Sequence, residues 1–145
     1  MAKKHPLPQS ILFVCEMNMV RSPMAAGLMR KLFPSVQTIE SCGLMQGEAD
    51  QWVETVMSDI GVDMSEHQPK TLHDLENDEF DIVIAFTPSA TEGSKAFFEG
   101  RSAKILQWPL PMPGTGSLDV RAVLNDYRAM RDVIKTRLLN YFEAQ

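Results

Sequence analysis

The stretch "ILFVCEMNMVRSPMAAGLM", from Ile11 to Met29, changes its character in the middle. It begins with an apolar, β-prone run that is typical of a strand buried on both faces, and it ends in the small and apolar residues of a helix. Cys15 stands where the strand should end, and Arg21 stands just before Ser22 and Pro23. The pattern predicts a strand, a loop and a helix, with a thiol at the start of the loop and a guanidinium at its end.

The composition limits the classes of protein to consider. The chain has 145 residues, of which 44% are hydrophobic and 23% are charged, so we expect one globular domain. The net charge of -5 argues against nucleic acid or an acidic membrane as the main partner. Two cysteines without a CxxC pair argue against a disulfide framework or structural zinc. We therefore predict a soluble protein of the reducing cytoplasm, without a membrane span or a bound metal.

Short apolar segments alternate with helical periods along the chain. Strands are predicted at Ile11–Cys15, Val36–Cys42, Phe80–Phe86 and Ala103–Trp108. Helices are predicted at Pro23–Phe33, Ala49–Ile60, Ser89–Glu99 and over a last segment with apolar residues every three or four positions from Val120 to Tyr141. This alternation is typical of an α/β domain with a parallel sheet covered by helices on both faces. We assign residues 10–145 to the domain and residues 1–9 to an N-terminal tail.

A second loop follows the fourth predicted strand. It is the Pro- and Gly-rich stretch "WPLPMPGTG", from Trp108 to Gly116. Because α/β folds bind ligands at the carboxyl edge of the parallel sheet, we expect this loop to take part in the same site as the loop after Cys15.

The loop between Cys15 and Arg21 suits a nucleophile and an anion. Ser22 and Pro23 predict the start of a helix, since serine can accept from the first N–H groups and proline fits the first helical position. Unpaired N–H groups and the positive end of the helix dipole would then stabilise a thiolate and bind a phosphate, together with the planar fork of Arg21. A thiolate beneath a phosphoryl group is placed for in-line attack. The alternative is an inert cysteine that packs as a small hydrophobic residue.

The segment "VCEMNMVRSPMA" resembles the phosphate loop of low-molecular-weight protein tyrosine phosphatases, to which one group of arsenate reductases is related. The shared pattern is C-x5-R-S-P with an asparagine in the middle of the loop. The similarity continues along nearly the whole chain in "IESCGL", "GVDMSEHQPKTL", "FDIVIAFT" and "WPLPMP". The resemblance implies a four-stranded parallel sheet in the order 2-1-3-4 with flanking helices, the phosphate loop at the end of strand 1, and neither a metal nor an organic cofactor.

The resemblance also implies a role for individual residues. Cys15 corresponds to the nucleophile, Arg21 to the phosphate-binding arginine and Ser22 to a hydroxyl that stabilises the thiolate. The loop that binds the phosphate comprises Glu16, Met17, Asn18, Met19, Val20 and Arg21. The residues that support the loop by hydrogen bonds are Asn18, Ser41 and His67. From the residues alone, Ser22 is equally an N-cap, Asn18 a turn residue with positive φ, and His67 a partly buried structural histidine.

The family's general acid is missing from this chain. In the family, an aspartate before a proline protonates the leaving phenolate, and the segment "LPMP" puts Met112 at that position. Because acid–base catalysis typically contributes about 10²–10⁴-fold, we expect slow turnover and intact phosphate binding. Asp119 could act instead only if the loop folds unusually, and we expect it at the start of the last helix. The aromatic residues that stack on the substrate ring in many members are replaced by Gly114 and Thr115.

Other departures from the family leave alternatives open. The carboxylate of Glu16 either faces the loop, where it opposes the thiolate and a phosphate dianion, or faces water. Met17 and Met19 either line a soft apolar mouth, together with the methionine at the acid position, or pack into the domain. Cys42 is either a small buried residue or a partner for a disulfide with Cys15.

Three functions fit this sequence. The leading hypothesis is a hydrolase of phosphotyrosine or aryl phosphates that works through a phosphocysteine and is impaired by the loss of its acid. The second is a catalytically silent module that binds oxyanions or phosphotyrosine. An arsenate reductase is less favoured, because "TPSATEGSKAFFEGRSAK" lacks the further cysteines that relay oxidation in those enzymes. The predicted partners are a phosphorylated protein or small aryl phosphate and inorganic phosphate or sulfate, on a monomer or weak dimer.

Overall fold

Strands and helices alternate along the computed structural model, which describes residues 3–113 and 119–144. The strands are β1 (Ser10–Cys15), β2 (Thr38–Gly43), β3 (Ile82–Ala85) and β4 (Lys104–Gln107). The helices are α1 (Arg21–Leu32), α2 (Gln51–Ser58), α3 (Pro88–Phe97) and α4 (Val120–Tyr141), with a short 3-10 helix at Leu72–Asp74. Gly114 and Thr115, which replace the family's aromatic residues, lie outside the described residues.

The strands form one parallel sheet in the order β2-β1-β3-β4, which confirms the predicted order. Strand β1 lies between β2 and β3, and its register with β2 runs from Ser10 opposite Thr38 to Cys15 opposite Gly43. All of β1 except its first residue is buried, as expected for a continuous apolar run in the middle of a parallel sheet. Cys15 therefore lies at the carboxyl edge of a central strand.

Successive side chains of β1 enter two different hydrophobic cores, one on each face of the sheet. Ile11, Phe13 and Cys15 belong to the larger core, which also contains residues of α1, α2 and α4. Leu12 and Val14 belong to the smaller core, which contains residues of α3. Helices cover both faces, as the alternation of elements predicted.

Backbone hydrogen bonds join residue 5 to residues 141 and 143 beside the larger core. The N–H of His5 donates to the carbonyl of Tyr141 over 2.7 Å, and the N–H of Glu143 donates to the carbonyl of His5 over 2.8 Å. Leu7 packs against the larger core. Part of the predicted tail is thus attached to the end of α4, and the domain boundary at residue 10 stays a prediction.

Helix α4 is the longest described helix, with 22 residues. Asp119 caps its first turn by accepting a hydrogen bond of 3.0 Å from the N–H of Arg121, so this acid lies at the start of the helix, as expected. The residues of α4 that are buried are Tyr127, Met130, Ile134 and Leu138. Within residues 3–113 and 119–144, no helix has both the length and the apolar character that crossing a bilayer requires.

Candidate active site

The loop after β1 leads directly into α1, which begins at Arg21 with Val20 in the N-cap position. The prediction that Ser22 caps the helix and that Pro23 is its first residue is therefore wrong, since both lie inside the first turn. The hydroxyl of Ser22 is fully buried and lies 2.9 Å from Sγ of Cys15. It therefore serves the thiol rather than the N–H groups of the helix.

The carbonyl and N–H groups of the loop lie in different environments. The carbonyl oxygens of residues 15, 16 and 17 accept hydrogen bonds of 2.9 to 3.2 Å from N–H groups of the segment that follows β2. Within residues 3–113 and 119–144, no acceptor receives a hydrogen bond from the N–H groups of residues 16–20. Unpaired N–H groups around the start of a helix are the arrangement that binds phosphate oxygens. The predicted phosphate-binding residues are thus held with these donors available.

Asn18 organises the loop from within. It is fully buried and has a positive φ of 57°. Its amide nitrogen donates to the hydroxyls of Ser22 and Ser41, each over 2.9 Å, and its amide oxygen accepts from the N–H of Lys70 over 3.0 Å. Nε2 of His67 lies 2.9 Å from the carbonyl oxygen of Asn18. The structure thus brings the three predicted supporting residues together and adds the main chain of Lys70, which no sequence pattern indicated.

His67 acts on the loop as a neutral donor. A carbonyl oxygen can only accept, so the proton of this hydrogen bond belongs to Nε2. Burial lowers the pKa of His67 below its ordinary value, and the nearby charges of Lys70 and Arg30 lower it further, against the opposing effect of the hydrogen bond to Asn18. The imidazole is therefore uncharged at neutral pH.

Gly43 allows β2 to lie directly against the loop. A Cβ atom at this position would be 2.7 Å from the N atom of Asn18 and 2.8 Å from the carbonyl oxygen of Glu16. Both are backbone atoms and cannot move without changing the shape of the loop. Gly43 is thus a residue of the site that the sequence analysis missed, although it lies within the segment "IESCGL".

The guanidinium of Arg21 is fixed at one end and open at the other. The residue is 7% exposed, and its Nη1 donates to the carbonyl oxygen of Leu110 over 2.9 Å. Its Nε is buried and has no hydrogen-bond partner within the described part of the chain. Because a buried N–H without a partner is costly, a ligand oxygen is the natural acceptor for it. The loop after β4 therefore positions Arg21 through Leu110.

A cavity of about 250 Å³ opens above the thiol. The residues that line it are Cys15, Glu16, Met17, Met19, Val20, Arg21 and Met112. Met17 and Met112 are 39% and 40% exposed, whereas Met19 also packs against the larger core. The methionines therefore form the apolar mouth that the sequence offered as one alternative. Met112 lines the same cavity as the thiol, and it has no proton to give.

The carboxylate of Glu16 is bound to the start of α3. Its Oε1 accepts a hydrogen bond of 2.7 Å from the hydroxyl of Thr87, the N-cap of α3, and another from the hydroxyl of Ser89. The hydrogen bond from Ser89, followed by that from Thr87 and by the charge of Arg21, lowers the pKa of Glu16, and burial opposes this only partly. Glu16 thus lines the cavity as an ionised group and is not simply solvated.

Cys42 and Cys15 face opposite sides of the sheet. Cys42 is opposite Val14 in the register and lies with it in the smaller core, whereas Cys15 lies in the larger core. Burial raises the pKa of the Cys42 thiol to about 12, and the proximity of Cys15 adds to this effect. Because side chains that point apart cannot form a disulfide without backbone movement, the structure favours a small buried residue at Cys42.

Nearly the whole chain is similar to known proteins. The model of the family "Low molecular weight phosphotyrosine protein phosphatase" matches residues 10–144. A glutaredoxin arsenate reductase of Synechocystis sp. is 27% identical over 133 residues, covering 91% of this chain and 95% of the relative. The low molecular weight protein-tyrosine-phosphatase Ptp of Acinetobacter johnsonii is 32% identical over 106 residues, covering 69% and 74%. The solved structure of an arsenate reductase in the phosphate binding state has the same fold, with a TM-score of 0.69 at 24% identity over 90% of this chain and 94% of the other.

Proposed function

Because the chain belongs to the low-molecular-weight phosphotyrosine protein phosphatase family, we propose that it hydrolyses phosphotyrosine or other aryl phosphate monoesters through a phosphocysteine at Cys15. The observation that carries the proposal is the position of the Cys15 thiol. It lies 2.9 Å from the Ser22 hydroxyl, beneath a loop whose N–H groups and Arg21 Nε have no acceptor within the described residues. These donors suit the three terminal oxygens of a phosphoryl group.

The reaction follows from these positions. Sγ of Cys15 attacks phosphorus as the bond from phosphorus to the aryl oxygen breaks, and the electron pair leaves with the phenolate. The loop N–H groups and Arg21 hold the phosphoryl oxygens through this step. Water then attacks phosphorus, the S–P bond breaks, and phosphate and the thiolate are released. Met112 can neither protonate the phenolate nor accept a proton from the water, so position 112 gives neither step acid–base help.

Phosphocysteine trapping tests the proposal. The protein is mixed with an excess of p-nitrophenyl phosphate, quenched in acid, digested and mapped by mass spectrometry, with Cys15→Ser as the control. We expect one phosphoryl group on the peptide that contains Cys15, together with a burst of nitrophenolate, because an unassisted water attack makes hydrolysis of the intermediate slow. If neither the burst nor the modified peptide forms, the hydrolase proposal fails.

The substitution Met112→Asp tests the missing acid. It should raise turnover by up to about 10²–10⁴-fold for phenolates that leave poorly, and much less for p-nitrophenolate, which leaves without a proton. Met112→Leu is the matched control and should behave as the native chain does. Sulfate affinity should change little in Met112→Leu, and in Met112→Asp it should fall by no more than the roughly five- to tenfold that one carboxylate charge costs a nearby dianion. A native rate that is independent of the leaving group would show that another acid is present, and Asp119 would be the first residue to replace.

A catalytically silent module that binds oxyanions or phosphotyrosine is the second candidate, and the apolar side chain of Met112 favours it. The trapping experiment separates the two, since a module would bind phosphate in the same loop without becoming phosphorylated. We also propose that the partner is a phosphorylated protein or a small aryl phosphate of the cytoplasm, a location that rests on composition alone.

Arsenate reduction is the third candidate, and the Synechocystis relative is the reason to test it. Cys42 faces away from Cys15, so the electrons would have to come from an external thiol such as glutathione. Arsenate-dependent oxidation of glutathione by the native chain, and its loss in Cys15→Ser, would support this activity. The absence of such oxidation would exclude it.

A further inference from the structure

Glu16 contributes a negative charge to the cavity above the thiol. Among the residues that line this cavity, Glu16 and Arg21 are the two with a charged side chain, and the rest are Cys15, a valine and methionines. The Oε1 atom of Glu16 is held by Thr87 and Ser89 at the start of α3. Its Oε2 atom has no hydrogen-bond partner within residues 3–113 and 119–144. One carboxylate oxygen of this cavity-lining residue therefore has no partner within the described part of the chain.

The charge of Glu16 offsets that of Arg21. The two formal charges cancel, and a thiolate at Cys15 would leave the lining side chains with a net negative charge. A phosphate dianion is then attracted mainly by the loop N–H groups and by the helix dipole, while the carboxylate repels it.

We propose that Glu16 determines the specificity of the site by weakening the binding of bare phosphate dianions and favouring phosphoryl ligands that carry a positive charge close to the phosphoryl group. This inference rests on the proposed anion site in the Cys15–Arg21 loop. A ligand cation next to the phosphoryl group would be attracted to the charge of Glu16 and would offset the negative charge of the cavity. The same carboxylate thus weakens the binding of bare phosphate dianions and strengthens the binding of phosphoryl ligands that carry a nearby positive charge.

The size of the effect follows from Coulomb's law. If a unit charge and a bound dianion are taken to be about 6–8 Å apart in a medium close to water, the charge changes the affinity for the dianion by about five- to tenfold. A ligand that carries its own positive charge beside the phosphoryl group loses most of this penalty. We therefore expect a preference of the same order for the cationic ligand.

A pair of small phosphonates measures this preference directly. Methylphosphonate and aminomethylphosphonate differ by one amino group, which is protonated at about pH 8. Their affinities are measured by calorimetry on the native chain and on Glu16→Gln, which keeps an oxygen acceptor for Thr87 and Ser89. We expect the native chain to prefer aminomethylphosphonate by about five- to tenfold, and Glu16→Gln to lose this preference through tighter binding of methylphosphonate.

Two further measurements separate charge from structure. Ser89→Ala removes one hydrogen bond to Glu16 and keeps its charge, so the ratio of the two affinities should remain native. Added salt should reduce the preference of the native chain for aminomethylphosphonate. This measurement uses the native chain alone and does not depend on whether a variant folds. A ratio that is the same in the native chain and Glu16→Gln, or that does not change with salt, overturns the inference.

The same experiment distinguishes this inference from the proposed anion site. If both phosphonates bind and Arg21→Lys weakens both, but the ratio does not depend on Glu16, the anion site stands and the specificity proposal is wrong. If neither phosphonate binds to the native chain or to Glu16→Gln, both proposals are wrong.

Discussion

The replacement of Asn18 by alanine would remove the side chain that connects the loop to β2, to α1 and to the segment before the 3-10 helix. In the native chain the amide of Asn18 makes three buried or partly buried hydrogen bonds, to Ser22, Ser41 and the N–H of Lys70. Alanine makes none of them. The hydrogen bond from His67 goes to the backbone carbonyl and can persist.

The cost of this replacement can be worked out from these contacts. Each hydrogen bond contributes about 0.5–1.5 kcal/mol net, so three contribute about 1.5–4.5 kcal/mol. The backbone at this residue has a φ of 57°, a region that costs an ordinary L-residue about 1–2 kcal/mol and that asparagine tolerates better than alanine. We expect Asn18→Ala to lower the free energy of unfolding by about 3–5 kcal/mol, a large part of the roughly 5–15 kcal/mol typical of a domain.

Urea unfolding followed by circular dichroism measures this loss, and Asn18→Gly is the matched control. Glycine also lacks the three hydrogen bonds but adopts a positive φ without strain, so it should be about 1 kcal/mol more stable than the alanine variant. Both variants should bind sulfate more weakly, because the N–H groups of the loop are no longer held in place. A loss below about 1 kcal/mol in Asn18→Ala would refute the reasoning on the hydrogen bonds, and equal stability of the two variants would refute the reasoning on φ.

Three further predictions concern the residues around this network. The thiol of Cys42, with a pKa of about 12, is ionised at pH 7 in about one molecule in 10⁵. Iodoacetamide labelling followed by mass mapping should therefore modify Cys15 far ahead of Cys42. The reverse order would contradict the assignment of Cys15 as the reactive thiol. The native pKa of His67 lies below the ordinary value of 6.5, so at low pH the unfolded chain binds a proton that the native chain does not. The free energy of unfolding should therefore decrease as the pH falls below about 6.5. In His67→Gln the urea midpoint should vary less over this range. Arg21→Lys keeps the charge but loses the planar guanidinium, which can bond to the ligand and to the carbonyl of Leu110 at the same time. Calorimetry should therefore show phosphate binding about 10–100-fold weaker. An unchanged affinity would mean that the anion binds elsewhere.

The order of elements could be predicted because it depends on local patterns of apolar residues. Strand β1 is a short run with no polar residue after Ser10, and the helical repeat from Val120 to Tyr141 matches α4. The order of the strands within the sheet came from the resemblance to a family rather than from the pattern itself. The start of α1 was placed wrongly, because the prediction assumed that the hydroxyl of Ser22 accepts from the first N–H groups of the helix. In the structure this hydroxyl is hydrogen-bonded to the thiol of Cys15 instead.

The contacts between distant parts of the chain could not be predicted from the sequence. Glu16 is held by residues 87 and 89, and Arg21 by the carbonyl of residue 110, so neither environment could be read from neighbouring positions. The position of Gly43 against the loop depends on the register of β2 with β1. The residue types at the site were therefore predictable from the loop pattern, whereas their electrostatic environment required the fold.

The hydroxyl of Ser22 links the shape of the loop to the reactivity of the thiol. Because Asn18 donates to this oxygen, the single hydroxyl proton must go elsewhere, and two acceptors are within reach: Sγ of Cys15 at 2.9 Å and the carbonyl of Cys42 at 3.2 Å. With a neutral thiol, the carbonyl can take the proton of Ser22 while the thiol donates to the hydroxyl. When Cys15 loses its proton, the charged sulfur becomes the stronger and closer acceptor, and the hydroxyl turns toward it. The side-chain amide of Asn18 thus orients the Ser22 hydroxyl so that its proton is available to the thiolate, and it does so before any ligand enters the cavity.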